Sequence, residues 1–388
     1  MKQDKIRHIL TALVFAAILG AVFVTRLAAA SPQLIASERR PAAKLEELTA
    51  ASLISGKYTG SFEDFAADSF PFRETMRKLH SRVVFSVFRQ TDKGGLYLGE
   101  SGAGKFQEIN ADEYRKIAAK IQTVADTWLY DMNVRLCVIP DKSVFAGSWY
   151  PGFEPGAAAR IFAEALPNMR QLDISGALAS GDFYRTDLHW NQARLAPVLA
   201  ALGSELTGDP WVIDAAQTRT VGEFSGVYPG QLALPVAPDT ATIIEAPHVT
   251  AEYLLGTGSF IPGPVYDDGT GAQYDFAALY NLKTAGESHG FLSIDPYNLF
   301  LCGPQMIIRL TNAENAGSGR HLYIFRDSFS SSLAPLIAEY SGYETVTLVD
   351  LRYINARLLG EFVELVPGSD ALFMYGSQIF GDASILMV

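Results

Sequence analysis

Short apolar runs alternate with helical patterns through the last third of this chain, and that alternation constrains the fold more than any other feature. The runs read as strands at 306–310, 322–325, 346–349 and 371–375, with helices at 330–340 and 356–365 between them. Strands joined through helices run parallel, and near-continuous apolar strands are buried on both faces. The pattern therefore predicts an α/β fold with a parallel sheet covered on both sides.

The same pattern extends upstream. A helix, a strand, a second helix and a brief strand are predicted at 112–128, 134–139, 157–166 and 171–174. Between about 209 and 290, Thr, Gly, Pro and Asp become frequent and the apolar runs shorten, which indicates a β-rich insertion. We predict one α/β domain over 76–388 that contains this insertion, preceded by an extracytoplasmic stalk over 31–75.

The N-terminus carries the pattern of an export segment. Three basic residues within the first seven precede an uninterrupted apolar run at 9–24, and Ala28-Ala29-Ala30-Ser31 resembles a small-residue cleavage site. A membrane span needs about 20 residues, which the run reaches when it is extended to 6–27. Residues 1–30 are thus a membrane anchor or a cleaved signal peptide. In both cases the rest of the chain lies outside the cytoplasm, in a bacterial-type cell envelope.

Composition excludes several classes of function. The formal net charge is −11, from 42 acidic and 31 basic residues, so the chain offers no phosphate-binding surface and no nucleic-acid partner is expected. Six histidines without HxH or HExxH spacing predict no metal site, and no cofactor is expected. Cys137 and Cys302 lie in apolar runs, where buried free thiols are favoured, although a disulfide stays open in an exported protein.

A strand end carries a candidate nucleophile. Arg326-Asp327-Ser328 follows the apolar run at 322–325, and a helix is predicted to begin at Ser330. Open α/β sheets bind ligands at the carboxyl ends of their strands, and a helix N-terminus favours a developing negative charge. Ser328 is therefore placed as a nucleophile, with its own N–H or that of Phe329 as an oxyanion donor. The alternative is that these polar residues only cap the helix.

A second segment supplies a candidate base. Asp187 precedes His189 by two residues, and Trp190 follows. In an extended segment, residues two apart point to the same side, and a turn would bring the carboxylate onto one imidazole nitrogen. The other nitrogen would remain free for a serine. The alternative is a surface Asp-x-His with a buried tryptophan. The two segments favour catalysis together because each supplies the group that the other lacks.

Taken together, the motifs of this chain resemble those of DHHW-family proteins, which are similar to the SGNH-hydrolase-like proteins of alginate acetylation. The resemblance covers nearly the whole chain after residue 35. The motifs occur in the family's order: Glu38-Arg39-Arg40, the segment from Phe65 to Asp68-Ser69-Phe70-Pro71-Phe72-Arg73, Gly94-Gly95-Leu96-Tyr97, Val138-Ile139-Pro140-Asp141-Lys142, Thr186-Asp187-Leu188-His189-Trp190 and Arg326-Asp327-Ser328-Phe329.

The resemblance implies a three-layer α/β sheet in which Asp187 orients the base, His189 is the base and Ser328 is the nucleophile. Leu188 departs from the first histidine of the family's name, which indicates that the base role belongs to His189. The serine block comes last here, whereas ordinary SGNH esterases carry it near the start of the chain.

Several further side chains are candidates for substrate or oxyanion binding: Phe329, Arg326, Gln305, Tyr184 and Trp190. Arg326 stands where a standard block has glycine, and it would bind an anion or pair with Asp327 or Asp350. Gln305 follows Gly303-Pro304 and would form part of an oxyanion hole, although a buried turn is favoured. Lys142 is expected to be structural and to pair with Asp141 or another carboxylate.

The leading hypothesis is an extracytoplasmic serine-type O-acetyltransferase or acetylesterase that acts on a cell-surface or secreted polysaccharide. The resemblance also implies a polytopic membrane O-acyltransferase as partner, and the N-terminal segment implies contact with the membrane. The alternative is a non-catalytic scaffold or polysaccharide-binding subunit of an export or acetylation complex. A metal-dependent hydrolase is disfavoured by the histidine spacing.

Overall fold

The structure is a computed structural model that describes residues 2–28, 31–146, 156–213, 217–254, 260–262, 265–267, 273–275, 279–281 and 295–388. The chain divides into two compact units. The first comprises residues 1–93 and 230–235, and the second comprises residues 94–229 and 236–388.

The helices are α1 (Lys2–Ala28), α2 (Ala50–Ile54), α3 (Lys57–Asp68), α4 (Arg73–Arg82), α5 (Ala111–Trp128), α6 (Ala157–Ala165), α7 (Ala196–Leu206), α8 (Tyr228–Leu232), α9 (Ser330–Tyr340) and α10 (Leu359–Phe362). The strands are β1 (Leu34–Ile35), β2 (Arg40–Pro41), β3 (Asp92–Lys93), β4 (Leu96–Gly99), β5 (Gly102–Lys105), β6 (Asn133–Ile139), β7 (Arg170–Leu172), β8 (Thr218–Phe224), β9 (Asp239–Ile244), β10 (Val249–Leu254), β11 (Phe260–Pro262), β12 (Val265–Asp267), β13 (Gln273–Asp275), β14 (Ile307–Asn312), β15 (His321–Arg326), β16 (Thr345–Val349) and β17 (Asp370–Gly376).

In the first unit, α1 is long and apolar enough to cross a membrane. The segment Lys5–Arg26 spans 22 residues and buries none of its surface. A signal sequence near an N-terminus has the same properties. The helix is therefore compatible with both forms of the predicted export segment, an anchor and a cleaved signal.

The first unit is organised by ion pairs between its motif residues. Arg40 donates two hydrogen bonds to the buried carboxylate of Asp68, at 2.7 and 2.6 Å, and these bonds hold the pKa of Asp68 below its usual value. Arg73 donates to Glu38 at 2.7 Å. The first pair joins the β1–β2 hairpin to α3, and the second joins it to α4. The segment predicted as a stalk thus contains helices and a hairpin, and its role as a stalk stays a prediction.

The second unit is built on a sheet of eight strands in the order β11-β10-β14-β16-β15-β17-β6-β7. The run from β16 to β7 is parallel, as predicted, and β14, β10 and β11 are antiparallel. The wholly parallel sheet is therefore corrected to a mixed one. The connection at 313–320 is too short for a parallel crossover, which needs about a dozen residues or more, so β14 runs opposite to β15.

Alternate side chains of the parallel strands enter two different apolar clusters. Ile324 of β15 packs in a cluster with Leu199 of α7 and Leu336 of α9. Its neighbour Phe325 packs in a second cluster with Ile121 of α5 and Phe162 of α6. Because successive strand residues point to opposite faces, both faces of the sheet are covered by helices.

The region predicted as a β-rich insertion is only partly separate from the sheet. β8 and β9 pair with each other, and β12 pairs with β13, whereas β10 and β11 extend the central sheet along its antiparallel edge. Much of the remaining insertion lies outside the described residues. Cys137 and Cys302 are both buried and neither forms a disulfide, as the sequence favours.

Candidate active site

The turn after β15 presents Ser328 at the carboxyl edge of the parallel strands. β15 ends at Arg326 and α9 begins at Ser330, in agreement with the predicted strand and helix. Asp327 shapes the turn because its Oδ1 accepts the Phe329 N–H at 3.0 Å and its Oδ2 accepts the Gly376 N–H at 2.7 Å. Asp327 and Phe329 are buried, whereas Ser328 between them is half-buried. The turn therefore buries its anchors and leaves the hydroxyl accessible.

The predicted base, His189, lies in a closed loop over residues 183–190, the base loop. Phe183 and Trp190 form an antiparallel bridge, and the Tyr184 N–H donates to the His189 carbonyl at 3.0 Å. This geometry supplies the turn that the Asp-x-His spacing requires. Asp187 Oδ1 lies 2.6 Å from His189 Nδ1 and also accepts the His189 backbone N–H at 3.1 Å. The carboxylate and the ring are both buried.

His189 joins the two segments. Its Nε2 lies 2.8 Å from the Ser328 Oγ, across a separation of 139 residues. With Nδ1–H donated to Asp187, Nε2 is the acceptor for the serine hydroxyl proton. Asp187, His189 and Ser328, the three residues that the sequence proposed as a triad, thus form one continuous hydrogen-bonded chain.

Aromatic side chains hold the imidazole in place. The Tyr297 ring stacks on the His189 ring with centroids 3.7 Å apart and planes 7° apart, and Phe329 packs beside it with centroids 5.0 Å apart. The Tyr297 hydroxyl donates to Ser332 Oγ at 2.9 Å. The base is therefore confined by packing as well as by its hydrogen bonds. Tyr297 carries no motif that would have identified it from sequence.

The backbone of the base loop is anchored by Asp239. This carboxylate accepts the N–H groups of Arg185 and Thr186, at 2.8 and 2.9 Å, and the Thr186 hydroxyl at 2.6 Å. Asp187 is held on its other side by the Val227 N–H, which donates to Oδ2 at 3.0 Å. Sequence analysis missed Asp239, since an isolated aspartate in the polar region after residue 209 gives no local signal.

The backbone of Gly226 packs closely against Thr186 and Asp187 of the same loop. A Cβ built at this position would lie 2.3 Å from the Thr186 carbonyl oxygen and 2.5 Å from Asp187 Oδ2. Those separations are far below van der Waals contact. Only glycine therefore lets this backbone lie against the triad carboxylate.

Lys142 is a buried cation beneath the loop. Its Nζ donates to the carbonyls of Ala103 and Tyr184, each at 2.7 Å, and the residue is 1% exposed. Burial lowers the pKa of Lys142 to about 8. The sequence predicts an ion pair between Lys142 and a carboxylate. The structure instead gives the ammonium two backbone carbonyls, one of which belongs to the base loop.

The oxyanion candidates need correction. The Phe329 N–H is occupied by Asp327, so it is not free to stabilise an oxyanion. The Ser328 N–H has no hydrogen-bond partner within the described part of the chain, and it lies at the N-terminus of α9. Gln305 lies just before β14, at the same sheet edge as Ser328. Its amide donates to the Cys302 carbonyl at 3.3 Å, within its own turn, but Pro304 is exposed and Gln305 is half-buried, so the turn is present without being buried.

Two of the remaining candidates, Trp190 and Tyr184, are buried side chains that pack around the site. Trp190 is fully buried, and its indole N–H lies 2.9 Å from both the Phe329 carbonyl and Ser332 Oγ. Trp190 therefore links the base loop to the turn that carries Ser328, and no face of its ring is open to a substrate. Tyr184 is 1% exposed and stacks on Phe224 with centroids 4.1 Å apart.

Arg326 is also fully enclosed. Its Nη1 donates to Ser331 Oγ at 2.6 Å and to the Asp327 carbonyl at 3.3 Å, and burial lowers the pKa of Arg326. Asp350, one of its expected partners, pairs with Arg352 at 2.6 Å. Arg326 thus ties the turn to α9 and does not reach a substrate. Among the described residues, no group of three potential metal ligands occurs.

No protein-family model matches this chain, and no curated protein matches it. Several solved structures match this chain. A DHHW family protein from Eubacterium siraeum aligns with a TM-score of 0.55 and 19% identity, over 76% of this chain and 94% of that protein. PatB1 from Bacillus cereus aligns with a TM-score of 0.53 and 14% identity, over 76% and 99%. PatB1 with a sulfonyl adduct gives 0.52 and 14%, over 74% and 97%.

At these identities, the alignments compare folds and not activities. Each spans about three quarters of this chain and nearly all of its counterpart. The protein thus shares its fold with a DHHW family protein and with PatB1, and the resemblance that the sequence motifs indicate is confirmed at the level of the fold.

Proposed function

We propose that this protein is an extracytoplasmic serine O-acetyltransferase with an SGNH-hydrolase-like, three-layer fold, which acts on a cell-surface or secreted polysaccharide. One observation carries the proposal. The hydrogen-bonded chain runs from Asp187 Oδ1 through His189 to Ser328 Oγ at distances of 2.6 and 2.8 Å. That is the arrangement that activates a serine hydroxyl for attack on an acyl carbonyl. The fold shared with a DHHW family protein and PatB1 supports it.

In the first half-reaction, Ser328 Oγ attacks the carbonyl carbon of an acetyl donor while His189 Nε2 takes the hydroxyl proton. Asp187 stabilises the imidazolium that forms. The Ser328 N–H and the N-terminal end of α9 face the negative charge that develops on the carbonyl oxygen. When the intermediate collapses, His189 returns the proton to the leaving group, and an acetyl-serine remains.

In the second half-reaction, a sugar hydroxyl gives its proton to His189 Nε2 and attacks the acetyl-serine carbonyl. The C–O bond to Ser328 breaks, and the proton passes to Ser328 Oγ. Water in place of the sugar would make the same site an acetylesterase. The half-buried position of Ser328 leaves room for a large acceptor to approach.

The location and partner belong to the proposal. The apolar helix α1 fits a segment that anchors or exports the chain. An acetyl donor outside the cytoplasm must come across the membrane, and we propose that a polytopic membrane O-acyltransferase supplies it.

The test is covalent trapping of Ser328. The wild-type protein is treated with a fluorophosphonate or a sulfonyl fluoride, and intact mass and peptide mapping locate the adduct. PatB1 is known with a sulfonyl adduct. We expect labelling at Ser328, loss of labelling in Ser328→Ala and His189→Ala, and loss of at least about a thousandfold in turnover of an acetyl ester.

Ser330→Ala is the matched control. Ser330 is a buried serine two residues along the same turn, and its hydroxyl has no partner among the described residues. Its replacement should leave labelling and turnover unchanged. Full turnover in folded Ser328→Ala would remove the nucleophile assignment. An unlabelled, folded wild-type protein would favour the alternative, a non-catalytic polysaccharide-binding subunit.

A further inference from the structure

A cavity of about 230 Å³ lies at the same sheet edge as Ser328, beyond the triad itself. It is lined at the ends of three neighbouring strands, by Ser377 after β17, Asp141 after β6 and Asp173 after β7. Open α/β sheets bind their ligands in the crevice at these strand ends. The cavity is smaller than the roughly 300–1,000 Å³ of pockets for drug-sized ligands. It therefore suits a ligand of about one sugar unit.

Two consecutive residues connect this cavity to the turn that carries Ser328. The Gly376 N–H donates to Asp327 Oδ2 at 2.7 Å, and the next residue, Ser377, lines the cavity. β15, which ends at the turn, is the direct neighbour of β17, which in turn neighbours β6. Strands are spaced about 4.8 Å apart, so the cavity begins roughly 5–10 Å from Ser328 along the sheet edge. That separation places it one or two sugar units from the reacting hydroxyl.

The lining combines apolar side chains with the carboxyl group of Asp141. Val138, Pro140 and Val144 provide apolar surface. The buried carboxylate of Asp141 accepts the Ser143 N–H at 2.8 Å on Oδ1 and the Gln378 amide on Oδ2. Each carboxylate oxygen has a second lone pair, so Asp141 can accept hydrogen bonds from a ligand as well.

The charge of the lining restricts the ligand further. Asp173 is exposed at the rim, and the described lining residues include no lysine or arginine. An anionic ligand would meet the exposed carboxylate of Asp173 and, among the described lining residues, no cation, which costs free energy. A pyranose ring without a carboxylate matches both features, since its C–H face is apolar and its hydroxyls donate hydrogen bonds.

We propose that this cavity is an acceptor subsite that holds one non-acidic pyranose unit of the polysaccharide, beside the unit that receives the acetyl group. The assignment rests on the proposed function, and it narrows the substrate. At this subsite the polymer presents a sugar without a carboxylate, and a uronate is rejected. Binding of this unit would also place the polysaccharide along the strand ends, with a hydroxyl of the adjacent sugar unit near Ser328.

The experiment compares oligosaccharides and a cavity-filling variant. Calorimetry on the full-length protein without an acetyl donor uses neutral tetrasaccharides of glucose, mannose, galactose and N-acetylglucosamine, and the uronates of the first three. We expect at least one neutral tetrasaccharide to bind and its uronate to bind about tenfold more weakly or not at all. Binding of none of the neutral sugars, or tighter binding of a uronate, would overturn the proposal.

Ala159→Trp is the filling variant because Ala159 lines the cavity from α6 and is exposed, so a larger side chain there need not disturb the core. It should weaken binding of the neutral tetrasaccharide by about tenfold or more, whereas Ala159→Ser should not. Unchanged binding in Ala159→Trp would overturn the subsite.

Fluorophosphonate labelling separates this proposal from the proposed function. Ala159→Trp should label at Ser328 as fast as wild type, because the small reagent does not need the subsite. The two proposals can also fail separately. If the wild-type protein is never labelled but its sugar binding is lost in Ala159→Trp, the proposed catalytic function is wrong and the cavity is still a sugar-binding site.

Discussion

His189 and Ser328 share a hydrogen bond of 2.8 Å between Nε2 and Oγ, although they lie 139 residues apart in the chain. The bond joins a loop anchored by Asp239 to a turn anchored by Asp327. Each segment is held by its own carboxylate, the half-buried Asp239 in one case and the buried Asp327 in the other, so the contact between His189 and Ser328 is supported from both sides. In the proposed mechanism, this arrangement pre-organises the serine and the imidazole for proton transfer.

Asp187→Asn should abolish most activity while the fold persists. The amide oxygen can still accept the His189 backbone N–H, but it cannot stabilise an imidazolium or select its tautomer. We expect turnover of an acetyl ester to fall by about 10⁴-fold, as for other triads. Activity within tenfold of wild type, with an unchanged far-UV spectrum, would show that Asp187 does not orient the base.

Removing the ring of Tyr297 should loosen the imidazole. Tyr297→Leu loses the stack on His189, whose centroids are 3.7 Å apart. Such aromatic pairs contribute about 0.5–1.5 kcal/mol, so we expect roughly a tenfold fall in turnover. Tyr297→Phe keeps the ring and loses only the bond to Ser332, and it should stay within about threefold of wild type. Equal losses in both variants would assign the effect to the hydroxyl.

The buried ammonium of Lys142 should leave a mark on the pH dependence of stability. Burial lowers its pKa to about 8 in the folded protein, below the value of about 10.4 in the unfolded chain. Between these values the unfolded state binds more protons, so this group's contribution to stability rises with pH over that window.

Lys142→Met tests this. Urea unfolding of the wild-type protein at pH 8–10 should show a free energy of unfolding that changes more positively with pH than that of Lys142→Met, by up to about 1 kcal/mol per pH unit. Parallel curves for the two proteins would contradict it. Turnover should also fall in Lys142→Met, because the Tyr184 carbonyl of the base loop loses its donor.

Position 188 should be unable to replace the base. Leu188 is half-buried and packs against the apolar cluster that contains α7 and α9. A histidine there would point into that cluster and not toward Ser328. We expect the double variant Leu188→His/His189→Ala to be as inactive as His189→Ala in ester turnover. Recovery of activity would show that either position can supply the imidazole.

Much of the site was predictable because its groups are local. The strand, the turn with Ser328 and the helix after it are encoded within about 20 residues, and their order predicts a serine at a strand end. Asp187 and His189 are likewise a local pair, and only the turn between them needed the structure. These segments were recognised because hydrophobic periodicity and short polar motifs are properties of neighbouring residues.

The supports of the triad were not predictable. Asp239, Tyr297 and Lys142 come from three separate parts of the chain, and each acts through a contact that only folding creates. For Lys142 the sequence predicted a structural role but not its partner, which is a backbone carbonyl of the base loop. Arg326 and Trp190 show the converse error. Their chemistry is typical of substrate binding, but both side chains are buried, and they form hydrogen bonds inside the protein instead. A side chain's role depends on its exposure, which a single sequence does not encode locally.

By itself, the sequence predicted the alternation of strands and helices, the parallel half of the sheet, and Asp187, His189 and Ser328 as the candidate triad, three residues that the structure brings into contact. The tertiary structure decided the antiparallel edge at β14, the loss of Phe329 as an oxyanion donor and the cavity beside the nucleophile. The physical reason is the range of the interactions involved. Backbone propensity and hydrophobic pattern act between neighbours, whereas strand order, carboxylate anchors and cavities arise from residues that meet only in the folded chain.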